Sequence, residues 1–168
     1  MEKPLQTEAK KENRIVSDWL LYYHERLKEY KEYKEGVAIY PNQAISDEGH
    51  GSNISDPTQR IVLKRLDFKY NPEWFDVVEE LERRIPEKQK VFLKVRREAK
   101  DKHANYRGRP AWVPYVQCRY PIEMSKLTGR GAEEFFISQP RVFYDWWNRL
   151  VDYGVRLAIK RGLLGENS

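Results

Sequence analysis

Gly131-Ala132-Glu133-Glu134-Phe135-Phe136-Ile137-Ser138-Gln139-Pro140-Arg141-Val142-Phe143-Tyr144-Asp145-Trp146-Trp147-Asn148-Arg149-Leu150 is the stretch on which the reading of the fold turns. Ser138 has the chemistry of a helix N-cap, because its hydroxyl can accept a hydrogen bond from a free first-turn amide. Beyond it Phe143, Trp146, Leu150, Gly154 and Leu157 recur at three- and four-residue steps, which predicts a helix with one apolar stripe. Arg141, Tyr144, Asn148 and Arg149 fall on its other side. Upstream, Ala132 is a small residue and Phe135, Phe136 and Ile137 make an apolar turn. A small residue in a first helix, an apolar turn, and a second helix with one buried and one bare face is the layout of a helix-turn-helix. Gly129 and Gly131 weaken a helix at that position, so the first helix falls either there or on Tyr120–Thr128.

Outward from this segment every other element also reads as helix or loop. Ile15, Trp19, Tyr22, Tyr23, Leu27 and Tyr30 predict one long helix over 14–35, with Lys28–Glu32 and Lys31–Glu35 able to pair outside it. Its aromatic side needs cover, either from the rest of the chain or from a second copy. The polar residues 1–13 read as a disordered tail, and 36–56 as a Gly-rich loop. Asp56-Pro57 and Asn71-Pro72 each open a helix. The second of these helices buries Trp74, Val77, Val78, Leu81 and Ile85. A helix from Pro86 to about Ala99 buries Val91, Phe92 and Val95 and turns Lys90, Lys94 and Arg97 to solvent. Residues 100–111 are a basic loop. Trp112–Arg119 and Pro121–Leu127 follow as short helices, and no strand pattern is present. The expected fold is all-α: a helical N-terminal region over 14–85 and a helix-turn-helix module over 86–165.

Charge points the same way. The net charge is +5, the pI about 9.2 and the mean hydropathy −0.85. Residues 88–130 hold twelve basic against three acidic side chains, a block of the kind that meets phosphates. Lys100, Lys102, Arg107, Arg109, Arg119, Lys126 and Arg130 are the expected phosphate contacts. Base contacts fall to Gln139, Arg141, Tyr144, Asn148 and Arg149, because arginine matches guanine edges and asparagine or glutamine matches adenine edges. A single cysteine, Cys118, forms no internal disulfide and reads as a small buried hydrophobe in a reducing, cytoplasmic chain. No apolar run reaches the length of a bilayer. His24, His50 and His103 are scattered, and no phosphate loop or nucleophile elbow is present. The expectation is therefore no catalytic residue, no metal and no cofactor. Glu98 beside Asp101 and Lys102 reads as a solvated helix end.

Ser55-Asp56-Pro57-Thr58, the run Pro86–Leu93, and Ile137–Arg149 with the basic end beyond them resemble, in this order, the phage late-gene transcriptional activators of the RinA/ArpU type. That resemblance implies a sigma region 4-like helix-turn-helix, double-stranded DNA as ligand, a homodimer and contact with RNA polymerase. Two other readings share these features: a small terminase-like packaging protein that binds DNA without sequence preference, and an adaptor that binds polymerase alone.

Overall fold

The computed structural model describes residues 3–39, 69–102, 105–106 and 109–165. The expected Gly-rich loop beyond residue 39, the helix start at Asp56, His50, His103 and Arg107 lie outside the described residues. The described chain is all-helical. Helix α1 runs Lys3–Leu21, α2 Tyr23–Ile39, α3 Glu73–Arg84, α4 Glu87–Glu98, α5 Trp112–Thr128 and α6 Arg141–Lys160. A single 3-10 turn, Ala132–Phe135, precedes α6. A two-residue antiparallel ladder, β1 Asn105–Tyr106 with β2 Arg109–Pro110, precedes α5 and leaves the class unchanged.

The chain divides into two compact units, one made of residues 1–23 and 73–168, the other of 24–72. This differs from a division at residue 86, because α1 and α3 both pack on α6. In the larger unit α6 is the axis. Its second half buries Gly154, Leu157 and Ala158, with Gly154 against Val16 of α1 and Leu81 of α3. A Cβ on Gly154 would stand 2.6 Å from Val16 Cγ1, so glycine sets how closely α1 and α6 approach. Its first half carries Phe143 into a cluster with Phe92 of α4 and Tyr120 of α5, at centroid distances of 6.0 and 6.2 Å. Trp146 closes that cluster edge-on to both. Such offset and edge geometries suit the ring quadrupoles.

The expected single helix over 14–35 is two helices, with a bend at Tyr22. The carbonyl of Leu20, at the end of α1, accepts a 2.7 Å hydrogen bond from Arg97 Nε, which satisfies an acceptor that helix ends leave open. α1 also begins at Lys3, so it includes most of the polar stretch expected as a tail. The aromatic side of α1 is covered within its own unit: Trp19 stacks on Trp74 at 5.6 Å and meets Phe75 edge-on at 5.3 Å. That side is therefore not exposed for a second copy.

In the smaller unit, Arg26 of α2 lies 4.5 Å over the Tyr70 ring, and the expected Lys28–Glu32 pair forms at 3.9 Å.

α5 is one helix where two short ones were expected. Pro114 stands in its first turn, where the missing N–H has no role, and Pro121 is buried inside it. The helix stops at Gly129, whose φ of 71° is left-handed, as in a glycine C-cap. Cys118, expected inside, is exposed on α5. Arg97, expected in solvent, is buried, and so is Arg96.

Candidate nucleic-acid interface

α6 carries the bare face that its sequence pattern predicted, but no tight turn leads into it. Residues 129–140 separate α5 from α6, against about three to four in a helix-turn-helix. The segment expected as a first helix is the 3-10 turn, so within this region α5 is the only long helix preceding α6. The connector is fastened along α5. Gln117 Nε2 donates to the carbonyls of Ile137 and Ser138 at 2.9 and 3.2 Å, and Ser125 Oγ donates to the Arg130 carbonyl at 2.6 Å. Ser138 is not the N-cap. That position belongs to Pro140, which makes no side-chain cap bond. The polar atoms near Ser138 are held by Gln117 instead.

Of the expected base contacts, Gln139, Arg141, Asn148 and Arg149 are exposed. The Arg141 side chain is 89% exposed, with Asp145 4.0 Å away. Tyr144 is half-buried and packs edge-on against Trp112 at 5.4 Å, so its ring serves the core more than a ligand. Asp145, Asp152, Arg156 and Lys160 share the open face of α6.

The expected phosphate contacts fare differently, because carboxylates occupy several of them. Arg119 bonds Glu123 at 3.2 Å and lies 3.6 Å from Glu98; Lys126 bonds Glu123 at 3.0 Å. Arg130 pairs with Glu134. Glu123 is buried and also accepts from Lys94 at 2.8 Å. The hydrogen bonds from Lys94 and then Lys126 hold its carboxyl down at about 2. Glu98 accepts from Tyr115 and Asp101 from Tyr22, so these acids are structural partners. Lys100 lies over the Tyr22 ring and Lys102 over that of Tyr115. Arg109 is placed only by its backbone in β2. Six of the twelve basic side chains of 88–130 thus pair with carboxylates among the described residues, three of them sharing Glu123.

The accessible cations converge elsewhere. A groove of about 340 Å³ runs between the α3–α4 junction and α6, lined by Arg84, Gln89, Arg149, Asp152, Tyr153 and Arg156, among others. Arg149 and Arg156 are exposed and make no ion pair among the described residues. They sit two turns apart, about 10.5 Å along the axis. Arg84 reaches the groove from the opposite wall, held by Glu80 at 2.6 Å. Lys88, on the neighbouring turn of α4, lies 5.7 Å over Trp146. Arg161, by contrast, is tied to Glu80 at 2.8 Å and Asp76 at 3.8 Å. Of the groove residues named, Arg149 was expected as a contact, and Arg84, Gln89, Asp152, Tyr153 and Arg156 were not. Arg156 is legible in retrospect, seven residues beyond Arg149 on the same helix face. Arg84 and Gln89 carry no such signal, since their approach to α6 is set by tertiary packing.

Among the described residues no group of acidic, histidine and cysteine side chains could hold a metal ion, and no helix is long and apolar enough to cross a membrane. Compared with family models, with curated proteins and with solved structures, the chain matches none.

Proposed function

We propose that the chain binds duplex DNA with the open face of α6 and acts as a sequence-selective transcription regulator. The observation that carries this is the pair Arg149 and Arg156, exposed and without carboxylate partners on one helix face, with Arg84 across a groove beside them. Arginines held this way contact phosphates or guanine edges, and Asn148 on the same face suits adenine. Selectivity is favoured over indiscriminate packaging because Asp145 and Asp152 share the face. A carboxylate repels phosphates but can accept from a cytosine amino group, so the face suits some sequences and resists a uniform backbone track.

The test is selection of bound fragments from a random duplex pool, followed by salt titration of the selected site. A defined consensus is expected. Arg149→Ala and Arg156→Ala should each weaken binding, and any arginine that serves a phosphate should lower the salt slope by about one unit. Binding by the double variant equal to that of the parent protein would remove α6 from the interface. A pool with no consensus would leave only nonspecific binding and overturn the regulator reading.

A further inference from the structure

Behind the groove on α6 one carboxylate is shared between the two walls. The side chain of Glu80, on α3, is 12% exposed. Its Oε1 lies 2.6 Å from Nη2 of Arg84, four residues on in the same helix. Its Oε2 accepts a 2.8 Å hydrogen bond from Nη2 of Arg161, the residue after α6. The hydrogen bond from Arg161, acting against burial, and then the Arg84 charge hold the Glu80 carboxyl below its ordinary value, so it is an anion at neutral pH. Arg161 has a second acceptor in Asp76 at 3.8 Å, and the charge of Glu73 also favours it. Among the described residues Arg84 pairs with Glu80 alone.

The three arginines that line the groove therefore differ in kind. Arg149 and Arg156 are exposed and make no ion pair among the described residues. A long, free arginine brings its charge to any phosphate within reach and says little about sequence. Arg84 has a side chain 49% exposed, but its charge is offset by Glu80 and one end of its fork is engaged there. The guanidinium has further N–H donors left over, set in a plane. A donor that is directed and offset adds little to the general pull on a backbone. It contributes where an acceptor falls on its fork, and less rotamer freedom is lost on binding. Affinity withheld from wrong partners is one source of specificity.

We infer that Glu80 sets the sequence discrimination of the α6 groove: it holds Arg84 in one direction and offsets its charge, so that Arg84 reads the position of an acceptor instead of adding to phosphate attraction. The inference rests on the reading of α6 as a duplex-binding face. Glu80 stands behind the groove lining and acts through Arg84, so it is a positioning residue. Its second oxygen, on Arg161, ties the same carboxylate to the end of α6.

The experiment measures binding of the full chain, across a salt series, to the selected duplex and to a scrambled duplex of the same length and composition. Glu80→Gln removes the charge and keeps the shape. Binding to the scrambled duplex should tighten several-fold, and its salt slope should steepen by about one unit. The ratio of selected to scrambled affinity should fall several-fold. Loss of structure alone would weaken both duplexes and steepen neither slope. In an Arg84→Met background Glu80→Gln should leave the ratio unchanged. Arg161→Met, which breaks the tie to the end of α6 and leaves Glu80 on Arg84, should lower the melting temperature and spare the ratio. The inference is overturned by an unchanged ratio or weaker scrambled binding in Glu80→Gln, by a change that persists without Arg84, or by the same fall in Arg161→Met. Should Glu80→Gln not fold, Glu80→Asp decides, because it keeps the charge and withdraws the carboxylate by one methylene. The ratio should then fall with scrambled binding at the parent level, and an unchanged ratio overturns the inference. A parent protein that binds neither duplex, or both alike, removes the α6 reading and this inference together. A parent that discriminates, with Glu80→Gln matching it, removes this inference alone.

Discussion

Gly154 concentrates the packing of two helices on one missing methyl. Alanine is a better helix former by about 1 kcal/mol, yet its Cβ would press on Val16, which is 1% exposed and stiff at χ1. Overpacking of this kind costs about 1–3 kcal/mol, so Gly154→Ala should destabilise on balance. Urea denaturation measures this. In a Val16→Ala background the same change should become neutral or stabilising, and additive losses would show that the two residues are not coupled. Gly154 was readable from its place in the apolar stripe. Arg96 and Arg97 were not, because an arginine in a helix reads as solvent-facing. What buries them is a set of aromatic rings and a backbone carbonyl brought in from α1, α5 and α6, and no local spacing reports that.

Between α4 and α5 a carboxylate adds to the aromatic packing. Glu123 gathers Lys94 from α4 and Lys126 and Arg119 from its own helix. Its carboxyl titrates near 2 in the folded chain, against about 4.3 in an unfolded one. A depressed acid stabilises most above its unfolded value, and the contribution fades as pH falls from about 4.3 through about 2. Glu123→Gln should therefore melt lower than the parent at pH 7 and lose less stability between pH 5 and pH 2. Equal acid slopes for the two proteins would sink this assignment. Element boundaries were legible where the chain writes them locally, as at Asn71-Pro72 and Pro86. They were lost where a tertiary contact decides, as at Tyr22, where Arg97 donates to the Leu20 carbonyl near the end of α1, and at Ser138, where Gln117 donates to the backbone carbonyls of Ile137 and Ser138.

Across the whole molecule, half of the basic side chains that mark residues 88–130 in the sequence meet carboxylates among the described residues, while Arg149 and Arg156 stand open on α6. Sequence composition counts charges without their partners, which is why the basic block was visible and the pairing of Lys94, Arg119 and Lys126 on Glu123 was not. The order of packing was equally hidden: α1 and α3 join α4, α5 and α6 in one unit, while the chain between α1 and α3 forms another. The larger unit is left at Tyr23 and rejoined at Glu73, and these two ends meet. Tyr23 stands 6.1 Å from Phe75, ring to ring, and its hydroxyl donates to Glu79 at 2.8 Å. The larger unit is thus left and re-entered at neighbouring points, and insertions between touching ends are tolerated well. A few glycines and serines, each reaching about 3.8 Å, should bridge the gap. The shortened protein should melt in one cooperative step, without the dye binding that marks a molten state. A broad, non-cooperative melt would mean that the larger unit needs residues 24–72 for its stability. If the larger unit folds alone, evolution can lengthen, trade or discard residues 24–72 while α6 keeps its groove.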